Sequence, residues 1–406
     1  MNSAHAVQSP AGDQRIVLKP RKVRPFFARH PWVLDSAVAR VEGDPADGDV
    51  VELFSNRGQF VARGIYNSHS KIRVRLYSWQ ADEPLDRSLW RRRLTAAAEL
   101  RRSLGYEQAE GAARLVSSEA DGLGGLIVER FGAHLVMLVT SLGMYQRLDE
   151  LVTLVAEIWR PASIAVRGDR SMSRTEGFAL LDEVRHGKRD TELVFVEEHG
   201  VRYGVDLSAG QKTGFYLDQR ENRKAAAAYM TDRRVLDVCC YTGGFSLAGL
   251  ILGRARETLG IDSSAKAISL AQANAELNGL ASARFEVGDA FQCMEQLTAA
   301  GERFGAVVLD PPKFARSAQQ LPQALRAYHH LNRSAVELLE PDGMLVTCSC
   351  SGHVTREDFA YMLGDVAQRT GRDLQILEVR GAAPDHPVAA TCLETDYLKC
   401  FICRVV

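Results

Sequence analysis

Apolar and polar residues alternate in short runs near the start of the chain. Ala37–Val41, Asp49–Phe54, Phe60–Tyr66 and Ile72–Tyr77 each read as a strand. Turn formers separate them at Gly43-Asp44-Pro45, Asp47-Gly48, Asn56-Arg57-Gly58 and Asn67-Ser68. Short strands at that spacing predict a small β-barrel over residues 15–82. The period then changes. Leu94, Ala97, Ala98 and Leu104 share one helical face, so Ser88–Leu104 predicts a basic amphipathic helix. Strands at Arg114–Ser117, Leu126–Phe131 and His134–Thr140, a helix over Tyr145–Trp159 and a strand at Ser163–Arg167 complete an α+β module, residues 88–190. No chemistry is legible in that module, which reads as a spacer or dimerisation layer.

From residue 191 to 406 the alternation becomes regular. Leu193–Val205 predicts a hairpin turning at His199-Gly200. Strands follow at Val235–Cys239, Glu257–Ile261, Ala283–Glu286, Ala306–Leu309 and Met344–Cys348. Helices lie between or after them, to about Leu252 and at Ser264–Asn278, Leu321–Leu339 and Glu357–Arg369. Leu374–Arg380 and Tyr397–Val405 form a closing antiparallel pair. The pattern predicts an α/β, doubly wound sheet with one reversed edge.

Composition refines this picture in a few places. The chain has 406 residues, 46% hydrophobic and 25% charged, which is ordinary for a soluble protein of two or three domains. With a formal net charge of -1, binding to nucleic acid has to come from local patches. Lys19–Trp32 is such a patch: Arg21, Lys22 and Arg24 are cations for phosphates, interleaved with Phe26, Phe27 and Trp32. The competing reading is a solvated arm whose rings pack on the barrel. Residues up to about Gln14 read as a disordered tail without a signal-peptide core, and no apolar run reaches membrane-spanning length. The eight cysteines sit mostly in predicted strands, as in a reduced, cytoplasmic protein. Cys400-x-x-Cys403 has no second pair to complete a metal shell, so no metal is expected.

Candidate chemistry gathers at predicted strand ends. In Val235–Ser246 a strand runs into Thr242-Gly243-Gly244 and then a helix, a form suited to close approach by a nucleotide-type ligand. Asp237 sits where an α-amino group would be held. Asp262, ending the second strand, would reach a ribose, and Asp289, ending the third, an adenine edge. Each acid could instead cap the next helix. Together, and without a Gly-x-Gly-x-x-Gly, they fit S-adenosylmethionine better than a dinucleotide. Tyr241, Gly243, Ser263 and Asp310 join them as the cofactor-binding set.

The fourth strand ends in Asp310-Pro311-Pro312-Lys313-Phe314, whose prolines fix the acid against a base edge. The fifth ends in Cys348-Ser349-Cys350-Ser351-Gly352, beside it in a doubly wound sheet. Carbon 5 of cytosine becomes nucleophilic once a thiolate adds at carbon 6, so a cysteine and a protonated Asp310 are the pair such a reaction needs. Cys350, at the point where the chain turns out of the strand, is preferred to Cys348, which lies deeper.

These motifs, with Gly210-Gln211-Lys212-Thr213-Gly214-Phe215-Tyr216-Leu217-Asp218-Gln219-Arg220 and Cys240-Tyr241-Thr242-Gly243-Gly244-Phe245-Ser246, resemble those of the large-subunit ribosomal RNA cytosine-5 methyltransferases with an N-terminal PUA domain. The resemblance spans nearly the whole chain. It implies a PUA barrel, a central α+β module, a Rossmann-like class I methyltransferase domain, a homodimer, ribosomal RNA as partner and Cys350 as nucleophile. It also implies a substrate-side role for Asp385-His386-Pro387, His386 above all. Lys313 stands where related RNA cytosine-5 enzymes carry a second cysteine. It is assigned, with Phe314, to contact with phosphate or base. Two other readings remain at this stage: methylation of a base nitrogen in guanine, and a non-catalytic RNA-binding assembly factor.

Overall fold

The computed structural model describes residues 14–108, 110–168, 174–180, 182–188, 193–207, 214–315 and 317–406. The expected tail before Gln14 and the Gly210–Thr213 part of one motif lie outside the described residues. The chain divides into two compact units. One comprises Met1–Glu192, Leu207–Phe215 and Pro387–Thr395, the other Leu193–Asp206, Tyr216–His386 and Asp396–Val406.

In the first unit, β1 (Arg15–Leu18), α1 (Arg24–Phe27), β2 (Trp32–Leu34), β3 (Val38–Glu42), β4 (Val50–Phe54), β5 (Phe60–Tyr66) and β6 (Ile72–Ser78) build a six-stranded sheet in the order β2-β6-β5-β4-β1-β3. Register slips at Val17/Leu18, Val33/Leu34, Leu53/Phe54 and Arg63/Gly64 bend its strands. They curl it round Ile16, Leu18, Val33, Val51, Leu53 and Val74, each 0% exposed. The strands β1 and β2 are additions to the sequence reading, whose first strand began at Ala37.

The same unit holds α2 (Arg87–Ser103), whose N-terminus Asp86 caps, and a second sheet. Its strands are β7 (Ala112–Ser117), β8 (Leu126–Phe131), β9 (His134–Val139), β10 (Ser163–Gly168) and β11 (Glu183–Gly187), in the order β11-β10-β9-β8-β7. The single helix expected over 145–159 is two pieces, α3 (Leu142–Gln146) and α4 (Leu148–Trp159). Between them Arg147 leaves helical geometry at φ -103 and ψ 12.

The second unit opens with the hairpin β12 (Leu193–Glu198) and β13 (Val201–Asp206). His199 (φ 52) and Gly200 (φ 83) are both left-handed, as a tight hairpin turn of this hand requires. After α5 (Arg220–Ala227), β14 (Arg234–Val238), α6 (Gly244–Ile251), β15 (Glu257–Asp262), α7 (Ala265–Leu277), β16 (Ala283–Val287) and α8 (Ala290–Ala299) follow. The chain continues through β17 (Phe304–Leu309), α9 (Leu321–Leu338), β18 (Leu339–Ser349), α10 (Arg356–Thr370), β19 (Leu374–Arg380) and β20 (Lys399–Val405). The seven-stranded order is β16-β15-β14-β17-β18-β20-β19. The first five strands run parallel, and β20 runs antiparallel to both neighbours. Val235, Leu236, Val238, Val307, Val308 and Leu309 are 0% exposed, as strands covered on both faces require. The connections reverse direction between β14 and β17, and crevices at such a point take ligands. No helix among the described residues is long and apolar enough to cross a membrane.

Candidate active site

Asp237 is the penultimate residue of β14 and is completely buried. Ser246 donates to its Oδ2 twice, from the backbone at 2.9 Å and the hydroxyl at 2.7 Å, while Oδ1 has no hydrogen-bond partner. Burial, opposed by the Ser246 bonds, pushes its pKa up to about 6. A buried carboxylate with one empty oxygen fits the cationic amino group of an amino-acid cofactor. The following loop winds through left-handed backbone at Cys239 (φ 62), Tyr241 (φ 49) and Gly243 (φ 82). For the two residues that are not glycine, Cys239 and Tyr241, such backbone costs on the order of 1–3 kcal/mol each, and strain of this kind gathers at ligand sites. A Cβ on Gly243 would meet the Phe285 ring at 2.9 Å.

Asp262 accepts from the Tyr241 and Ser264 backbone N–H groups at 3.0 and 2.9 Å. It therefore fixes the Tyr241 loop, while Ser264, not Asp262, caps α7. Ser263 is exposed beside it. Asp289 does cap its helix, accepting from Phe291 and Gln292, but the residue stays exposed. The capping alternative thus applies to one of the three acids in full.

Asp310 follows β17, and its backbone N–H donates to Val238 O at 3.2 Å, which ties the ends of β14 and β17 together. The residue as a whole is half-buried. Enclosure by protein and the nearby Asp218 push its pKa up to about 7.

The loop after β18 separates the two candidate thiols. Cys348 is 0% exposed and pairs across the sheet with Cys400, whose thiol, with burial, drives its pKa far up. Ser349 and Ser351 are also buried, and both hydroxyls lie against Tyr328 Oη, at 3.0 and 3.1 Å. Ser351 Oγ also accepts from the Ala315 backbone at 3.2 Å, joining this loop to the one after Asp310. Cys350, between the two pinned serines, is half-buried. The Tyr216 phenol lies in the fields of both Asp310 and Cys350, so these groups share one environment.

Sequence reasoning assigned no role to several residues here. Tyr216 meets Tyr241 edge-on, with ring centroids 5.3 Å apart. Its segment is anchored by buried Arg223, which donates to Tyr216 O at 3.0 Å and forks onto Glu198 at 2.8 and 2.7 Å. Buried Lys399 donates to Ser351 O. The motif around Tyr216 was visible in sequence, but nothing there marks an arginine or lysine as buried.

The expected substrate contacts are placed unevenly. Lys313 is exposed. Phe314 is half-buried, its ring packed 4.7 Å from that of Tyr328, so it supports the loop from within. His386 is 4% exposed, with Nδ1 2.8 Å from Asp385 and no hydrogen-bond partner at Nε2. In the other unit, Arg21, Lys22 and Arg24 are exposed and Phe27 is 45% exposed, whereas Phe26 is buried and Trp32 donates to Glu119 at 2.9 Å. That unit also brings His30, Cys392 and Glu394 within 4.8 Å of one another. The Cys392 thiol bonds Glu394 at 3.5 Å, and burial and that carboxylate push it up to about 12.

Residues 185–397 match the S-adenosylmethionine-dependent methyltransferase family, and 16–79 match a PUA-like domain. A protein of Erwinia tasmaniensis named ribosomal RNA large subunit methyltransferase I is 38% identical over 394 residues, covering 97% of this chain and 99% of its own. The chain belongs to this methyltransferase family. A namesake from Aeromonas salmonicida is 39% identical over 391 residues, covering 96% of this chain and 98% of its own. In fold, the family member matches a solved SAM-dependent methyltransferase structure from Streptococcus mutans at TM-score 0.84, with 20% identity, over 96% of this chain and 99% of that one. A methyltransferase structure complexed with SAH gives the same values. S-adenosylmethionine is the family cofactor, and the buried, half-satisfied Asp237 fits its amino group.

Proposed function

We propose that this chain methylates carbon 5 of a cytosine in large-subunit (23S) ribosomal RNA, with Cys350 as nucleophile. The observation that carries the reading is the contrast within β18 and its loop. One thiol is sealed, the neighbouring serines are pinned, and Cys350 between them stays partly accessible in the environment of a carboxyl raised to about 7. In this reading the Cys350 thiolate adds to carbon 6, forming an S–C bond and making carbon 5 electron-rich. Asp310, protonated near neutral pH, donates to the ring nitrogen and stabilises the adduct. S-adenosylmethionine supplies an electrophilic methyl group. Loss of the carbon-5 proton to water restores the ring double bond and expels Cys350 as thiolate, and the ring nitrogen returns its proton to Asp310. The remaining assignments follow the same reading: Asp262, Ser263, Asp289, Tyr241 and Gly243 to the cofactor, Lys313 and His386 to the substrate side, and Arg21, Lys22 and Arg24 to RNA phosphates. A homodimer is the expected assembly, which light scattering measures directly.

The names of the relatives support ribosomal RNA as substrate, and the Cys350 and Asp310 environment supports carbon rather than nitrogen. The test is mass mapping of 23S RNA from cells with and without the gene. The reading expects one cytosine to lose a methyl group, restored by the wild-type gene and not by Cys350→Ala. An unchanged map, or a methyl group lost from guanine, overturns it.

A further inference from the structure

Lys399 is the first residue of β20 and stands opposite Ser349 across the sheet. Its side chain is 2% exposed. The ammonium donates to Ser351 O at 2.7 Å and to Tyr397 O at 2.9 Å, so it rests on the backbone immediately after Cys350. No carboxylate lies within 4.0 Å of it among the described residues. A buried cation held only by neutral carbonyls is costly, and it favours an anion nearby. The charged and titratable groups facing it are Cys350, Asp396, Arg356 and Lys313. Burial lowers its pKa to about 8, and Cys350 is the strongest influence acting against that loss. Cys350 in turn faces the phenols of Tyr216 and Tyr328, which stay protonated at neutral pH because burial raises both.

We propose that Lys399 is the positioning residue that holds Cys350 as a thiolate, both for attack on the base and for release of the product. The inference rests on Cys350 as the nucleophile. In the resting protein the Sγ proton goes to solvent and Nζ keeps its three. The thiolate then has a fixed counter-charge on the buried side of the loop. When sulfur bonds to carbon 6 the anion disappears and the ammonium loses its partner. Expulsion of the thiolate restores the pair, so Lys399 favours the release step for which a second cysteine is missing.

The test is the pH dependence of alkylation of Cys350 by iodoacetamide, with the labelled peptide identified by mass, in full-length wild type, Lys399→Met and Lys399→Arg. Wild type should half-react below the ordinary thiol pKa of about 8.5. Lys399→Met should shift that midpoint upward by about one unit or more, which slows alkylation about tenfold at pH 7, and Lys399→Arg should restore most of it. Methyl transfer by Lys399→Met should recover as pH rises, which a merely damaged fold would not do. Retained binding of S-adenosylmethionine checks that each variant is folded, and Lys399→Gln replaces a Met variant that is not. An identical midpoint in the folded Met or Gln variant overturns the role of Lys399. Failure of the wild type to form an adduct with RNA containing 5-fluorocytosine overturns the nucleophile assignment instead, so the two failures are distinct.

Discussion

The strand ends of the second unit and the Lys19–Trp32 segment of the first both carry charge, in opposite ways. At the strand ends Asp237 is completely buried, Asp310 is largely enclosed, and both acids have pKa values raised to about 6 and 7. In the segment, Arg21, Lys22 and Arg24 lie in solvent, while Phe26 is buried in the barrel core and Trp32 bonds to Glu119. Chemistry on a base needs a moved proton affinity, and only burial and neighbouring charge move it. Attraction of phosphates works through water over about 10 Å and needs only exposed cations. Mutations at the two places should therefore fail differently.

The largest effect is expected at Cys350. Cys350→Ala should abolish methyl transfer, while Cys348→Ala, which empties a sealed site beside Cys400, should cost stability and leave most activity. Equal losses of activity from folded proteins would remove the distinction between the thiols. Asp310→Asn comes next, with a loss of about 10²–10⁴-fold in kcat, the usual range for a proton donor. Single-turnover rates at saturating cofactor measure it, and a loss confined to KM would contradict the assignment.

A smaller, signed effect belongs to Asp237. Its carboxyl sits at about 6 instead of the ordinary 3.8 because burial disfavours the anion. A bound amino cation favours the anion and draws the pKa back down. Affinity for S-adenosylmethionine should therefore rise as pH climbs through about 6 and level off above it. The same raised value makes the cofactor-free fold lose stability as pH rises from 3.8 towards 6, since the folded state holds a proton the unfolded chain has released. Calorimetric titration across this window reads the affinity, and a flat profile, or the same slope in Asp237→Asn, would sink the idea. The smallest effect is at the segment. Replacing Arg21, Lys22 and Arg24 by alanine should weaken RNA binding by several-fold and flatten its salt dependence by about 0.7 per lost phosphate contact. Cofactor affinity should not change.

Much of the second unit was legible because its strands are continuous apolar runs ended by Asp, Gly or Pro. Val235–Asp237 and Val307–Asp310 show the pattern, and their adjacency follows from the doubly wound order. Cys350 was separable from Cys348 by its place at the strand end. Three kinds of feature were not legible. The helix Arg220–Ala227 turns Arg220, Asn222 and Arg223 inward with its alanines, so its inner face does not read as apolar, and Ala290–Ala299 is only ten residues long. The short strands Arg15–Leu18 and Trp32–Leu34 have too few residues to show a period. Arg223, Glu198 and Lys399 are charged residues made internal by partners far away in sequence, and a single sequence does not reveal such partners. Phe314, an aromatic assigned to the substrate from its place beside a motif, also packs its ring on Tyr328, a contact that the sequence does not reveal.

The central claim is a covalent bond between Cys350 and the base. Incubating the wild-type protein with S-adenosylmethionine and 23S RNA containing 5-fluorocytosine tests it, since fluorine at carbon 5 blocks the release step. The account predicts a denaturation-resistant protein–RNA complex whose nuclease-trimmed peptide carries the nucleotide on Cys350, absent from Cys350→Ala. Methyl transfer to unsubstituted RNA without any such complex, or a complex attached at another cysteine, would contradict it.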